Sequence, residues 1–394
     1  MKTFFEKIIS GIITCSGFLT SIVIVLIIVF LFSEGFGLFS QKSIENGYTL
    51  VVNQENPVNE LNAEQINKVF DQDIHNWKEV GGKNIPVKAF RFDDMLSFFS
   101  EKQLGKNYEN AGKCINELVT KNPGIIGFVP KEYVQKDFHG KLLKDHHISI
   151  SETLTGKQWY PTATPAPQFG FLPLILGTIW VTVFAILFSL PFGLSVSVYL
   201  SEVASPRIRA FLKPVIELLN GIPSVVYGFF GLIVIVPLLQ DVFHLDVGES
   251  GLAGSIVLAI MALPTIISVS EDALQNCPRE MREASLALGA TQWQTIYKVV
   301  IPYSISGITS AIVLGIGRAF GETMAVLMVT GNAAVIPTSL TDPLRTIPAT
   351  IAAELGEAPS GGPHYQSLFL LGIILFIMTM IVNLSVDYIS SRHK

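Results

Sequence analysis

The sequence predicts an α-helical membrane protein of six spans, with an α/β domain inserted after the first. Three observations carry this. The 394 residues have a mean hydropathy of +0.47 and only 15% charged side chains, which places much of the chain in lipid. Six apolar stretches each reach the roughly 20 residues needed to cross a hydrocarbon layer. Between the first and second, from about Gln41 to Ala166, the composition turns to that of a soluble domain of mixed charge. The net charge of −5 says little about partners, and no nucleic-acid partner is expected. Cys15, Cys114 and Cys277 stand too far apart for a disulfide framework or a metal motif.

Lys2 and Lys7 precede an apolar run from Ile8 to about Phe39. It exceeds one span and no A-x-A cleavage site follows, so residues 1–40 read as a retained anchor. Cys15, preceded by Thr14 and early in the run, is not a lipid-attachment site. Within residues 41–168, strands are expected at Tyr48–Asn53, Ile85–Arg91 and Gly124–Val129, with another near Leu142–Ser151. Helices are expected at Ala63–Phe70, Asp93–Leu104 and Ala111–Lys121. One α/β domain follows, too short for two comparable lobes. His146 and His147, adjacent on a strand, would face opposite sides, which argues against a metal site. Tyr160–Gln168 is a Pro-rich, semi-rigid linker.

Residues 169–394 form the membrane core, with apolar stretches at about Phe169–Leu200, Pro214–Leu239, Gly251–Val269, Tyr303–Thr330 and Ser367–Ile389. Pro191, Pro237 and Pro264 are tolerated inside spans because neighbouring helices satisfy freed backbone groups. Pro223 is expected to kink its helix, and Glu271-Asp272 to form a solvated helix end. Basic residues decide orientation. With a cytoplasmic N-terminus, the inner side receives Lys2, Lys7, Arg207, Arg209, Lys213, Arg279, Arg282, Lys298, Arg392 and Lys394. The short outer loop Gln240–Ser250 holds only Asp241, Asp246 and Glu249 as charges. Both termini are then cytoplasmic in a multi-pass cell-membrane protein, and residues 41–168 lie outside.

The polar stretch Cys277–Pro302 reads as two short helices set at an angle. Asn276 or Cys277 can cap the first, Pro278 suits its first position, and Met281, Ala284, Ser285 and Leu288 share a face. Gly289 ends it. Thr291 and Gln294 make a capping box for the second, which runs to Pro302. An L-shaped knob results, suited to a partner's groove. In the fifth span, Arg318 and Glu322 stand one helical turn apart. Each charge costs about 2.5–3.5 kcal/mol at mid-membrane, so they are expected to pair and face an interior or aqueous path. The arginine fork suits a tetrahedral oxyanion, with Glu322 holding it between substrates. A structural ion pair fastening two helices is the other reading, and both can hold. Gly315, Gly317 and Gly321 would admit another helix closely.

Other classes find little here. The chain has no G-x-x-x-x-G-K-[ST], H-E-x-x-H, C-x-x-C or G-x-S-x-G, so no catalytic residue is assigned. A membrane-anchored sensor of an outside ligand would need more than the tail after Ile389 for output.

Glu283-Ala284-Ser285, then Gly289, then Val299-x-Ile301-Pro302, resembles the E-A-A…G…I-x-L-P coupling loop of ABC importer permeases, which docks into the ATPase. The run Gly317-Arg318-Ala319-Phe320-Gly321-Glu322-Thr323-Met324, with Ile351–Phe369 after it, resembles the PstC-type permease of phosphate importers over nearly all of the membrane core. The resemblance implies a type I ABC importer permease core, coupling through Glu283, Ala284, Ser285 and Gly289, and a substrate path at Arg318, Glu322 and Thr323. It implies a second permease (PstA-type), an ATPase dimer (PstB-type) that binds the ATP and magnesium, and an extracytoplasmic phosphate-binding protein (PstS-type). No cofactor belongs to this chain. Related cores carry sulfate or molybdate, so another oxyanion is the alternative substrate. Residues 61–91 and 122–129 resemble one lobe of periplasmic phosphate-binding proteins. Arg91 matches an anion-binding arginine there, but Phe92-Asp93-Asp94 replaces the hydroxyl-bearing S-G-T. The carboxylates would stabilise a helix start and repel an anion. The resemblance then implies a vestigial site in a lobe kept for docking or gating.

Overall fold

The computed structural model describes residues 2–134 and 137–391. Arg392 and Lys394, assigned above to the inner side, lie outside the described residues. The chain forms two compact units, one of residues 1–35, 171–360 and 368–394, the other of residues 36–170 and 361–367. It opens with helix α1, Lys2–Gly37. An 18-residue window within Ile9–Ser40 has a mean hydropathy of 2.8, and the side chains from Ile9 to Phe30 are largely exposed, as a lipid-facing helix requires.

The smaller unit is an α/β lobe. Its elements are β1 (Tyr48–Val52), α2 (Ala63–Phe70), β2 (Lys88–Arg91), α3 (Met95–Phe98), α4 (Glu101–Leu104), α5 (Ala111–Lys121), β3 (Ile125–Pro130), β4 (Lys141–Leu142), α6 (Ile150–Thr155), β5 (Trp159–Tyr160) and β6 (Gln168–Phe169). The main sheet has the order β2-β3-β1-β4, with β2 parallel to β3 and β1 antiparallel to both neighbours. Alternation along β1 divides the core. Leu50 and Val52 join Ile66, Val69, Trp77 and Phe128 on one face. Val51 faces the other way, into Phe90, Met95, Ile115 and Val119. Both faces are therefore covered, by α2 on one side and α5 on the other.

α2 and α5 occupy the expected positions. Asn62 and Gln65 box the start of α2, a cap worth about 1 kcal/mol. Two expectations fail. The helix predicted over Asp93–Leu104 is broken, because Phe99 is extended and Ser100 starts a new turn boxed by Gln103. The strand predicted near Leu142–Ser151 is confined to β4, because Ser149 and Glu152 box the start of α6. In both places a Ser-x-x-Gln/Glu cap overrides the apolar pattern.

The larger unit is helical. α7 (Leu172–Val198) runs on as a π-helical turn to Val203, and α8 is Pro206–Asn220. α9 (Ser224–Phe230) passes through another π turn into α10 (Val236–Phe243). α11 (Gly251–Gln275) is followed by α12 (Arg279–Ala287), α13 (Gln292–Thr295), α14 (Ile301–Tyr303), α15 (Ile305–Gly321), α16 (Met324–Val329), α17 (Ile347–Glu354) and α18 (Pro363–Ser391). α11 is central. Its Ile266 is fully buried, and a Cβ added at Gly193 of α7 or Gly315 of α15 would stand 2.8 or 2.9 Å from it. Glycines thus admit the branched side chain from both sides, which is close packing of the membrane kind.

Among the described residues, five helices are long and apolar enough to cross a membrane, and a bent pair makes a sixth. The span expected at Pro214–Leu239 begins only at Ser224. α8 ends at Asn220, and Pro223, in extended backbone, precedes α9 rather than kinking a helix. The fifth span is broken twice. Gln292–Tyr303 meets Ile305–Gly321 at 69°, with the Ser304 N–H shared between the Val300 and Ile301 carbonyls at 3.0 and 3.1 Å. Backbone at Glu322 (φ −73°, ψ 130°) then ends α15 before α16 begins.

Candidate functional site

The knob at 277–302 is built by its caps. Neither Asn276 nor Cys277 caps α12; Pro278 occupies the N-cap position and makes no side-chain cap. Gly289 takes φ +83° just beyond the helix, where a side chain would be strained. Thr291 Oγ1 accepts from the Gln294 N–H at 3.3 Å, and Gln294 Oε1 accepts from the Thr291 N–H at 2.9 Å. Ser285 and Thr295 hydroxyls meet at 3.0 Å and join the two arms. The second arm continues through Pro302 to Tyr303 instead of stopping at the proline. Glu283 and Ala284 are exposed, as are Leu286, Trp293 and, at 89%, Leu288. Leu288 therefore packs nowhere.

The knob is tied to the rest of its unit by charge. Arg282 donates to Glu202 at 2.8 Å and to the Leu274 carbonyl at 2.9 Å, and Gln292 donates to the Glu202 carbonyl at 3.0 Å. The end of α7, the end of α11 and both arms of the knob thus meet. Glu271 is not solvated, contrary to expectation. It is 1% exposed and held by Arg209 at 2.9 Å and Lys213 at 3.4 Å, while Asp272 takes Lys213 at 3.2 Å. Burial works against the Lys213 charge, but Asp272 and Glu271 outweigh it and its pKa rises.

Arg318 does not pair with Glu322. Because α15 stops at Gly321, Glu322 leaves the helical register that would bring it one turn above the arginine. Arg318 Nη1 instead donates to Asn220 Oδ1 at 2.6 Å and to Thr265 Oγ1 at 3.2 Å. Glu322 accepts from the Thr323 N–H at 3.2 Å and lines a narrow recess with Thr178, Thr182, Phe320 and Thr346. The Thr323 hydroxyl donates to the Gly321 carbonyl at 3.3 Å. Gly315 is closely approached by Ile266, whereas Gly317 and Gly321 face open space.

In the lobe, Arg91 Nη2 donates to the Thr164 carbonyl at 3.3 Å, and its guanidinium lies 5.8 Å from the Phe70 ring centre. Asp94 accepts from the Arg91 backbone N–H at 3.3 Å. His146 lies outside the strands, where the sequence had placed it within one. Its Nδ1 is 2.6 Å from Glu60 and its Nε2 3.0 Å from Glu152. Burial disfavours the imidazolium, but the two carboxylates prevail and raise the pKa above 6.5. Among the described residues, no group of three or more His, Cys, Asp or Glu could hold a metal ion. A cavity of about 490 Å³ in the lobe, lined by Ser43, Lys68, Lys157 and Gln168 among others, had no sequence signal.

Residues 189–394 match the family of binding-protein-dependent transport system inner membrane components. The chain belongs to this family. A probable ABC transporter permease protein, YqgH, of Bacillus subtilis is 43% identical over 247 residues, covering 63% of this chain and 80% of that one. The phosphate transport system permease protein PstC of Mesorhizobium japonicum is 38% identical over 258 residues, covering 61% and 78%. A structure of the MetNI methionine ABC transporter facing inward is 19% identical, with a TM-score of 0.45, over 56% of this chain and 96% of that one.

In this inner membrane component the residues singled out from sequence therefore fall into separate groups. Glu283, Ala284, Ser285 and Gly289 share the knob. Arg318 is grouped with Asn220 and Thr265, while Glu322 and Thr323 lie at the helix break. Sequence reading missed Glu202, Asn220, Thr265 and Glu271. A carboxylate four residues from a glutamine, as Glu271 is from Gln275, was the one available sign that this helix end is not simply solvated.

Proposed function

We propose that this inner membrane component is the PstC-type permease subunit of an ATP-driven phosphate importer. The observation that carries the reading is the 38% identity over 258 residues to a phosphate transport system permease. A homologous second permease completes the pathway, and two copies of an ATPase, which bind ATP and magnesium, dock on the exposed knob around Glu283, Ala284 and Gly289. An extracytoplasmic phosphate-binding protein delivers substrate. Both termini are cytoplasmic and residues 41–168 face outward, as the distribution of basic residues supports. The lobe serves docking or gating, with Arg91 as a remnant whose guanidinium is occupied by a carbonyl and a ring.

Motion of the knob has a defined way into the membrane. Arg282 and Gln292 grip Glu202, and Arg282 also grips the end of α11, so displacement of α12 pulls on two spans together. Arg318 then meets the oxyanion with a planar cationic fork that makes charge-assisted bonds. Glu322 and Thr323, at the break in the same span, line the route.

The test is ATP hydrolysis by the reconstituted complex, titrated with binding protein loaded with phosphate, sulfate or molybdate. Stimulation by the phosphate-loaded form alone is expected. Equal stimulation by all three would assign a general oxyanion importer, and no ATPase recruitment would overturn the reading.

A further inference from the structure

Arg318 is held by groups that no sequence signal marked. Asn220 is the last residue of α8, and its Oδ1 accepts from Arg318 Nη1 at 2.6 Å and from the Thr265 hydroxyl at 3.3 Å. Thr265, on α11, also accepts from Arg318 at 3.2 Å. Three elements thus bring a guanidinium, an amide and a hydroxyl together. Asn220 is exposed and Arg318 half-buried, and on the arginine's own helix Gly317 and Gly321 open onto free space. The cluster is accessible.

We infer that Asn220 and Thr265 are positioning residues for oxyanion passage, with Asn220 acting as a displaceable stand-in for the substrate on Arg318. This rests on the role proposed for Arg318 and names what governs it. A neutral amide orients the fork, but it is a weaker acceptor than an ionised oxyanion, whose hydrogen bonds to arginine are roughly twice as strong. The substrate therefore displaces it. A carboxylate in the same place, tethered beside Arg318 and bonded as strongly as the substrate, would outcompete it. The break at Gly321 serves this arrangement, because it removes Glu322 from the turn above Arg318. Once the amide oxygen is displaced, the Asn220 NH2 and Thr265 hydroxyl become donors for the same anion.

The stand-in is also connected to the coupling end. Arg209 and Lys213 of α8 clamp the buried Glu271 of α11, and α11 ends on the carbonyl that Arg282 of the knob grips. From Arg209 to Asn220, α8 spans about 16 Å at 1.5 Å per residue. A tilt of α11 at its coupling end accordingly moves both Thr265 and the helix that carries Asn220.

The experiment measures initial uptake of inorganic phosphate by the full reconstituted importer, together with ATP hydrolysis stimulated by phosphate-loaded binding protein. Asn220→Asp should lower uptake about 100-fold, through a carboxylate that stays on Arg318. Stimulated ATP hydrolysis should fall far less than uptake and the KM for loaded binding protein should hold within about twofold, since the knob and the Arg209–Glu271 clamp keep their side chains. Thr265→Val should lower uptake about tenfold, the usual cost of one hydrogen bond to a charged group, and Thr265→Ser should restore it. Parallel loss of uptake and stimulated ATP hydrolysis in Asn220→Asp would overturn the inference, as a structural defect would produce it. If Asn220→Asp fails to assemble, equal uptake by Thr265→Val and Thr265→Ser overturns it. Arg318→Gln separates the two levels. Normal uptake by that variant removes the pathway role itself; loss of uptake there with normal Asn220→Asp and Thr265→Val removes only the role of the neighbours.

Discussion

The helices of the two units hold charge in opposite ways. In the lobe, Lys68 pairs with Glu64 and Lys121 with Glu117, each four residues apart on one helix and well exposed. Such pairs contribute about 0.3–0.5 kcal/mol in water and can be lost without consequence. In the membrane unit, Arg282 reaches Glu202 across 80 residues of sequence, and Arg318 reaches Asn220 across 98. Glu271 is buried to 1% exposure between two cations. Where desolvation is costly, distant parts of the chain converge on these charges. Charge on the lobe's helices decorates them, and the lobe links distant segments outside its helices, at Lys42 with Asp145, whereas charge in the membrane unit connects the helices themselves.

The comparison is most easily broken at the knob. Glu283→Lys is expected to abolish phosphate uptake while the protein remains inserted, measured by uptake and by membrane fractionation; normal uptake would remove the coupling role. Glu271→Leu leaves Arg209 without this partner and Lys213 with Asp272 alone; because both cations are about one-third exposed, the cost should fall below the roughly 3–5 kcal/mol of breaking a fully buried pair. A fall in the thermal midpoint of the purified complex is expected, and an unchanged midpoint would place Glu271 among the decorative charges. His146, between Glu60 and Glu152, tests what a connecting charge contributes to the lobe. Its pKa is raised in the folded lobe, so its contribution is full below the ordinary value of about 6.5 and is lost as pH rises through the folded value. Hydrogen exchange in residues 143–155 of the full chain should quicken on going from pH 6 to 8, after correction for intrinsic rates, and His146→Gln should flatten that dependence. Arg91→Ala should be the mildest, with uptake within about twofold of normal and lobe stability within about 0.5 kcal/mol, as for a surface substitution. A large loss of uptake would make Arg91 a working anion site.

The same contrast explains what was legible in the sequence. α2, α5 and the β1 alternation follow from local periodicity and caps, and the knob from Thr291, Gln294 and Gly289. The core, and the stretch that resembles a coupling loop, were recognisable because their residues are contiguous. The expected pairing of Arg318 with Glu322 assumed an unbroken helix; Gly321, the last residue of α15, was a local stop signal, but without a proline the apolar run on either side outweighed it. The partners of Arg318, Asn220 and Thr265, come from elements 98 and 53 residues away, and no spacing rule reaches that far. Glu271 was misread for the same reason, since its burial depends on α8 folding back over it. Within the lobe the two errors were local ones, at Ser100 and Ser149, where a capping serine outweighed apolar neighbours.

Leu288 bears on how the protein is made. It is 89% exposed at the tip of a polar turn, beside the exposed Leu286 and Trp293. Apolar surface of this kind, facing water, favours self-association and recognition by quality-control machinery. A copy with nothing over this tip is accordingly the form most exposed to self-association.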